Sequence, residues 1–239
     1  EKSEAYLLGQ RDWGIYLILE VLNVSRVANA VASVALAQRA IHEALTFAQN
    51  REAFDRPIIE HPLLNRQFEE RSVRLRKCFA LAWEAVRVLD DVWRETPPYS
   101  DRYHMFRLLA HLAKYWTAEF AKDRSTWAME VYGGIGTLAE FQVERLFREA
   151  IILAIWEGTP HRQILDGIEV MERQDAHRAV LRHVSDGMAN ESIEKMMARI
   201  DDHLTLPTDE KEARAETLFD ELAEFVADAV LNSYERGSR

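Results

Sequence analysis

Cysteine, glycine and proline are all scarce in this chain, and each scarcity excludes something. The 239 residues include one cysteine, Cys78, which excludes a disulfide within the chain and fits a reducing compartment such as the cytoplasm. Cys78 lies in a helical stretch, where we interpret it as a small packing residue. With only nine glycines and six prolines, the periodic segments between them are long, and this pattern predicts an all-α protein.

The signals of several other protein classes are also missing. No apolar run reaches the roughly 20 residues that a membrane span needs, and no basic-then-apolar leader opens the chain. The eight histidines have no metal-ligand spacing, so we expect neither a membrane partner nor a metal. The net charge of −10 lies mostly in residues 166–239, which carry 18 acidic and nine basic residues. A tail of that sign repels a nucleic-acid backbone.

Three long helices dominate the predicted structure. Apolar residues recur near the 3.6-residue period over 15–50, between Pro62 and Thr96, and from Ser100, a good N-cap, to Tyr132. Small side chains in the first of these helices would let a neighbouring helix approach closely. The short connections between the three predict an up-and-down helical bundle.

Shorter amphipathic helices follow the three long ones. They are expected over about 141–153, 160–173, 176–188, 191–205 and 210–234. We therefore divide the chain into a helical bundle, residues 1–165, and an acidic helical C-terminal extension packed on it, residues 166–239.

A tight turn between two predicted helices places a carboxylate where a catalytic base could act. In Trp156-Glu157-Gly158-Thr159-Pro160, Thr159 is an N-cap and Pro160 is the first residue of the next helix. A partly desolvated carboxylate within reach of a proton serves as a general base, and Gly158 would allow a ligand to approach closely. The alternative is a plain helix boundary at which Glu157 is exposed.

Two further segments could contact a ligand that carries phosphates or a flat ring. At 133–136, Gly-Gly-Ile-Gly would let backbone N–H groups meet such a ligand, although an inter-helix turn would use the same residues. At 51–57, Arg-Glu-Ala-Phe-Asp-Arg-Pro places arginines on both sides of a phenylalanine, which suits a pyrophosphate and a ring. Surface arginines at a helix C-terminus are the simpler explanation.

Taken in order, these motifs resemble the C-terminal helical domain of the acyl-CoA dehydrogenase family. The resemblance runs from about Arg26 to Leu165. Its elements are Arg-x-x-Phe-x-Arg-Pro at 51–57, Tyr-Gly-Gly-x-Gly at 132–136, Val-Glu-Arg-Leu-x-Arg-Glu-Ala at 143–150 and Trp-Glu-Gly-Thr at 156–159. Each element alone is weak evidence, but four of them in this order and at these spacings are specific.

The resemblance implies a flavin enzyme and gives roles to particular residues. Glu157 matches the carboxylate that removes the α-proton of an acyl thioester in many members, while the β-hydrogen leaves as hydride to FAD. Arg26 matches an arginine beneath that carboxylate, whose charge would favour the ionised form. The resemblance also implies that Arg51 and Phe54 contact the FAD of a neighbouring subunit, and that Glu130, Gly133 and Gly134 contact the adenosine half of that same FAD. Thr159 and His161 are implied to contact the FAD of their own subunit.

Several residues depart from the family's pattern. Asp55 stands where a glycine is usual, Pro62 where a glutamine is usual, and Trp156 where a tyrosine is common. Glutamines of the family also correspond to Glu130 and His161. These differences weaken the implied FAD contacts more than they weaken the fold. They favour the branch that contains the bacterial alkylation-response homologue.

The resemblance therefore predicts the C-terminal domain of an acyl-CoA dehydrogenase-like oxidoreductase. What it implies for the full-length protein is α,β-dehydrogenation of an acyl-CoA, bound FAD, and a homo-oligomer, either dimer or tetramer. It also implies electron-transfer flavoprotein or a similar acceptor as the partner. Members of the family have an N-terminal helical domain and a middle β-domain before this region, so we expect the isolated chain to be inactive.

Two other functions stay open at this point. A nucleic-acid-associated stress-response homologue with a vestigial flavin site would use a basic cluster on the second long helix. Interleaved Glu69 and Glu70 are more typical of a solvated helix face. A purely oligomeric module would make Glu157 irrelevant to any rate. The basic cluster consists of Arg66, Arg71, Arg74, Arg76 and Lys77.

Overall fold

The computed structural model describes residues 3–237 and contains eight α-helices within that range. The all-α bundle predicted from the sequence is confirmed. Its long helices are α1 (Gly14–Asn50), α2 (Pro62–Val92) and α3 (Asp101–Tyr132). The remaining elements are α4 (Gln142–Ile155), α5 (Pro160–Gln174), α6 (Ala176–His183), α7 (Asn190–Leu204), α8 (Thr208–Glu235), two short strands, and 3-10 turns at Arg11–Trp13, Ile58–Glu60, Gly133–Thr137 and Ser185–Gly187.

Local sequence signals predicted where the main helices begin, and the structure confirms these starts. Pro62 and Pro160 occupy the first position of α2 and α5, where the missing N–H of proline costs nothing. Ser100 caps α3 because its side-chain oxygen accepts a hydrogen bond from the backbone N–H of Tyr103 at 3.2 Å. Thr159 takes the N-cap position of α5 with an extended backbone.

A β-hairpin follows α1, where the sequence predicted only a break between helices. Its antiparallel strands are β1 (Glu52–Ala53) and β2 (Arg56–Pro57), with Phe54 and Asp55 at the tip. Both tip residues have positive φ, 54° and 66°, as a two-residue hairpin turn of this hand requires. The imidazole of His61 bonds to both strands and so fixes the hairpin.

The core of the bundle is built around α3, which packs against α1, α2, α4 and α5. Small side chains in α1 permit this close approach, as predicted. Cys78 of α2 is fully buried, and burial raises the pKa of its thiol, which confirms its packing role. The fully buried alanines of α1 are Ala30, Ala37, Ala40, Ala44 and Ala48.

The acidic tail packs on the long helices through α8. Leu218, Phe219 and Leu222 of that helix are fully buried. The Phe219 ring lies against Gly167 of α5, where a β-carbon would come within 2.3 Å of the ring. The boundary between residues 165 and 166 falls inside α5, and the division into two domains there stays a prediction.

The first helix is apolar along much of its length. By length and composition, residues Arg11–Asn50 would suit a membrane span, with a mean hydropathy of 1.4 in the relevant window. Of that window, 39% is buried inside the bundle, while Ile15, Tyr16 and Ile18 near its start are each more than half exposed. A core helix passes the same test, so this observation assigns no membrane role.

Candidate active site

Glu157 lies between α4 and α5 in a turn formed by residues 156–159, called here the Glu157 turn. Its φ is 61°, and that of Gly158 is 105°. Residues other than glycine rarely adopt the first conformation, and the surroundings must hold it in place. A β-carbon at Gly158 would lie 2.6 Å from the side-chain nitrogen of Gln163. Both the backbone and the packing therefore require glycine at 158.

Buried side chains from two helices satisfy the end of α4. The last carbonyl groups of a helix have no partner within it. Asn29 of α1 donates through Nδ2 to the carbonyl of Leu153 at 3.1 Å. Lys114 of α3 donates through Nζ to the carbonyl of Ala154 at 2.7 Å. The end of α4 is thus attached to both long helices beneath it.

Side-chain donors also hydrogen-bond to the carbonyl groups of the Glu157 turn. Gln163 of α5 donates through Nε2 to the carbonyls of Glu157 and Gly158, at 3.0 and 3.1 Å. Lys114 donates through Nζ to the Gly158 carbonyl at 2.6 Å, and Nε of Arg26 lies 3.4 Å from the Glu157 carbonyl. Side chains from α1, α3 and α5 therefore fix one turn.

A buried histidine orients Gln163. His111 is 1% exposed, and its Nδ1 lies 2.9 Å from Oε1 of Gln163. Because the amide nitrogen of Gln163 donates to two carbonyls, its oxygen faces the ring, and Nδ1 of His111 carries the proton. Burial, followed by the charge of Arg26, lowers the pKa of His111 to about 3. The ring is therefore neutral at neutral pH and acts as a hydrogen-bond donor.

Two buried cations lie beneath the Glu157 turn. Burial lowers the pKa of Arg26, and the charges of Asp166 and Glu157 oppose that shift. Burial, followed by repulsion from Arg26, lowers the pKa of Lys114 to about 8. Arg26 pairs with Asp166 at 3.3 Å, and burial raises the pKa of that carboxyl group. Two positively charged side chains therefore lie beneath the turn. One of them, Arg26, is paired with a carboxylate.

The surface that leads to Glu157 is apolar. Ile152, Ile155 and Trp156 are 53%, 56% and 55% exposed, and Glu157 itself is half-buried. An exposed apolar patch marks a surface that binds a ligand or another part of the protein. A carboxylate at the edge of such a patch can accept a proton from an apolar ligand held beside it.

The other predicted cofactor residues lie at the opposite end of the bundle, called here the hairpin end. Phe47 of α1 and Tyr132 of α3 stack there at 4.1 Å, which brings the hairpin and the loop after α3 together. β-Carbons built on Gly133 and Gly134 would meet no atom of the described residues within 4 Å. All five of the cofactor residues predicted at this end are exposed: Arg51, Phe54, Glu130, Gly133 and Gly134.

The Glu157 turn and the hairpin end are far apart. Helix α1 runs without interruption from Arg26 to Asn50, about 36 Å at roughly 1.5 Å per residue. Thr159 and His161 are exposed and lie at the Glu157 end. The two sets of cofactor residues predicted from the sequence therefore lie at opposite ends of the bundle.

The residues at the hairpin end fit a flavin dinucleotide. Phe54 offers a ring that is 90% exposed, and the two open glycines allow a ring to approach the backbone. Arg51 forms no ion pair with any of residues 3–237, so its guanidinium group is available for a phosphate. Two residues at this end do not suit a phosphate: the carboxylates of Asp55 and Glu130 carry a negative charge.

The basic cluster of α2 is not a free surface. Lys77 lies 2.7 Å from Asp228 of α8, and Arg76 lies 3.0 Å from Glu235. Arg74 also lies 3.9 Å from Glu224 of α8, so the acidic tail pairs with three of the five basic residues, while Arg66 pairs with Glu70 of its own helix. Within residues 3–237 there is also no group of three His, Cys, Asp or Glu side chains that could hold a metal.

Sequence reasoning missed Lys114, His111 and Gln163. A signal was present for two of them, since His111 and Lys114 are polar residues within the apolar stretch of α3 that ends at Trp116. A polar side chain on a buried face requires a hydrogen-bond partner. The identity of that partner depends on where α4 and α5 cross α3, which the sequence pattern does not specify.

Comparison with known proteins agrees with these features. Residues 12–171 match the model of the family described as acyl-CoA dehydrogenase, C-terminal domain. The chain is 31% identical over 169 residues to AidB of Escherichia coli (strain K12), covering 71% of this chain and 30% of that protein. It is 32% identical over 159 residues to the mitochondrial short-chain specific acyl-CoA dehydrogenase of Rattus norvegicus, covering 66% and 36%. The chain spans 30% to 41% of the length of the curated relatives that it matches.

The similarity to solved structures includes the acidic tail. The structure of Caenorhabditis elegans ACDH-11 in complex with C11-CoA matches with a TM-score of 0.81 at 21% identity, over 96% of this chain and 42% of that one. At this identity the likeness shows the fold alone. Because it covers nearly the whole chain, the helices of the acidic tail are part of the shared fold.

Proposed function

This chain belongs to the acyl-CoA dehydrogenase family, and from that membership we propose that the full-length protein removes one hydrogen each from the α- and β-carbons of an acyl-CoA thioester. The observation that carries the proposal is the Glu157 turn. A half-buried carboxylate lies there at the edge of an apolar surface, and buried donors from three helices hold the turn in place.

Glu157 is the general base in this proposal. It takes the α-proton as the α C–H bond breaks, and the product is a trans-2-enoyl-CoA. The positively charged side chains of Arg26 and Lys114 lie beneath the turn, and the ionised carboxylate is the form that accepts a proton. Because hydrogen bonds hold the carbonyl groups of the turn, the backbone of Glu157 stays in place during proton transfer.

The apolar residues beside Glu157 position the acyl chain and exclude water. Ile152, Ile155 and Trp156 form that surface. FAD, when bound, supplies the acceptor for the β-hydrogen, which leaves as hydride. Thr159 and His161 would hold it at the Glu157 end of the same subunit.

The proposed active form is a homo-oligomer. Arg51 and Phe54 lie about 36 Å from the Glu157 turn along α1, so they would contact the cofactor of another subunit. Gly133, Gly134 and Glu130 at the hairpin end would contact its adenosine half. An electron-transfer flavoprotein or a similar acceptor would reoxidise the cofactor, as the resemblance implies. By itself the chain would be inactive, because the rest of the pocket belongs to the other domains of such enzymes.

The experiment uses the full-length protein that carries this chain, purified with its flavin. Its visible spectrum is recorded anaerobically while a panel of acyl-CoA thioesters is added. We expect one of them to bleach the flavin, and we expect Glu157→Gln to slow the bleaching by about 10²- to 10⁴-fold with the flavin still bound. Glu194→Gln, an exposed glutamate of α7, is the matched control and should bleach at the normal rate.

The outcomes separate the competing functions. Bound flavin that no acyl-CoA reduces would contradict a dehydrogenase, and absent flavin would leave a structural module. A Glu157→Gln variant that reduces the flavin at the normal rate would show that another residue is the general base. The stress-response alternative predicts salt-sensitive binding to DNA, for which the paired basic cluster on α2 offers little free charge.

A further inference from the structure

Lys114 is buried to an extent that is unusual for a lysine. It is 1% exposed at the centre of α3, and lysines are almost never fully buried unless they are paired. None of residues 3–237 provides a carboxylate within ion-pair distance of its ammonium group. Burying a charge without an ion-pair partner is strongly unfavourable. The fold therefore retains a costly group at this place.

Among residues 3–237, the ammonium group of Lys114 hydrogen-bonds to the Glu157 turn and to the helix that leads to it. Its Nζ donates to the carbonyl of Ala154 at 2.7 Å and to the carbonyl of Gly158 at 2.6 Å. These two carbonyls lie on either side of Glu157 in the sequence. One ammonium group thus fixes the distance across the turn, and a positive charge there also suits the negative end of the α4 dipole.

The charge of Lys114 lies close to that of Arg26, and the two repel each other. Like charges at close range destabilise a fold unless a negative group faces both. The carboxylate of Glu157 interacts favourably with each of them. The charge of Asp166 also stabilises that of Arg26, and the charge of Glu119 stabilises that of Lys114. Among the described residues, Glu157 is therefore the one carboxylate that interacts with both cations, although Asp166 acts more strongly on Arg26 and Glu119 more strongly on Lys114.

We propose that Lys114 is a positioning residue for the reaction assigned to Glu157: it holds the turn in its left-handed conformation and keeps a positive charge beneath the carboxylate. The inference rests on the proposed function. Gln163 of α5, oriented by His111, also donates to the Gly158 carbonyl, and in addition to the carbonyl of Glu157. Lys114 differs from it by adding charge as well as hydrogen bonds.

The test compares three variants of the full-length, flavin-loaded protein. Lys114→Met keeps the length of the side chain and removes both the donors and the charge, whereas Lys114→Gln keeps a donor and removes only the charge. Lys195→Met is the matched control, because Lys195 lies on α7 with a side chain that is 74% exposed and pairs only with Glu191 among the described residues. The measurements are kcat and KM, the pH dependence of kcat, and hydrogen exchange of the amides of residues 156–159.

For Lys114→Met we expect kcat to fall by about 10²-fold, the loss typical of a reacting group displaced by about 1 Å. KM should change by less than about threefold, since substrate binding does not use this residue. Amide exchange in the Glu157 turn should become faster while exchange in α3 stays slow. Lys114→Gln should restore slow exchange, with the acid limb of the pH–rate profile moved to higher pH.

Three results would overturn the inference. A Lys114→Met enzyme with normal kcat, or one whose turn exchanges as slowly as the wild type, would leave Lys114 with a packing role only. If Lys114→Met does not fold, Lys114→Gln decides, and a Gln variant with unchanged kcat and pH profile would contradict the role of the charge. A wild-type protein that oxidises no acyl-CoA would remove the proposed function itself and this inference with it.

Discussion

The side chain of Arg26 contacts the main chain of Glu157: Nε of Arg26 lies 3.4 Å from the carbonyl oxygen of Glu157. The same guanidinium group pairs with Asp166 at 3.3 Å, and the two side chains are only 6% and 13% exposed. Arg26 therefore connects α1 to the Glu157 turn and to α5. The position of the turn depends on a buried ion pair, and removing one partner of such a pair is costly.

Replacing Arg26 by methionine should lower the free energy of unfolding by about 2 kcal/mol, because the largely buried Asp166 loses its buried partner and, among the described residues, keeps only Arg162, whose side chain is 62% exposed. Asp166→Asn should also destabilise, since the arginine charge would stay buried. In the double variant the loss should be smaller than the sum by about 1 kcal/mol or more. Denaturant unfolding of the four proteins measures this coupling. Losses that add within about 0.5 kcal/mol would argue against a direct interaction.

Glu84 of α2 joins the long helices to the tail through a fully buried carboxylate. Arg87 lies 2.7 Å from it, His183 at the end of α6 lies 2.5 Å from it, and the hydroxyl of Tyr234 in α8 lies 3.4 Å from it. Glu84→Gln should destabilise the protein by about 2–4 kcal/mol, because the amide cannot satisfy the same donors.

Thermal and denaturant unfolding test this prediction together with a control. Glu70→Gln changes a glutamate of the same helix whose side chain is 60% exposed, so it should change stability by less than about 0.5 kcal/mol. If the two variants lose equal stability, the buried carboxylate does not anchor the tail.

The ring of His203 in α7 is buried. It is 1% exposed, and among residues 3–237 neither of its nitrogens has a partner. Burial, followed by the charges of Arg199, Lys211 and Arg214, lowers its pKa below the usual 6.5, and Glu172 opposes the shift. The folded protein therefore binds a proton less readily at this ring than the unfolded chain does.

Stability should consequently be highest above about pH 6.5 and fall as the pH decreases below it. For this ring the loss is at most about 1.4 kcal/mol per pH unit. His203→Phe keeps a ring that cannot be protonated, so the variant should lose less stability than the wild type between pH 7 and pH 5. Unfolding experiments at several pH values measure both slopes. Equal slopes would mean that His203 takes up no additional proton on unfolding.

Phe54 at the hairpin tip contributes surface and little packing, because its ring is 90% exposed. In the full-length oligomer, Phe54→Ala should weaken FAD retention by about tenfold, the value of one aromatic contact, without lowering the melting temperature. Trp93→Ala truncates another exposed aromatic, at the other end of α2, and should leave FAD binding unchanged. Flavin fluorescence during dilution measures the retention, and equal retention in both variants would place the cofactor elsewhere.

Much of the local structure could be predicted from the sequence. Pro62, Ser100 and Pro160 mark helix starts because the N-terminal turn of a helix favours these residue types whatever surrounds it. The hairpin at Glu52–Pro57 was missed because a two-residue strand has no periodicity of its own. Its turn depends on Phe54 and Asp55 adopting positive φ, a conformation that aspartate tolerates but that a bulky residue such as phenylalanine rarely adopts.

By itself, the sequence determined the helices, their order, the turn that carries Glu157 and the motifs that resemble one family. Each of these depends on residues that are close together along the chain. Only the tertiary structure decided that Lys114, Gln163 and Arg26 hold that turn, and that acidic side chains of α8 pair with the basic cluster of α2. Helical periodicity specifies which face of a helix is buried. Which side chains meet there depends on how the helices cross, and that is fixed only when the whole core packs.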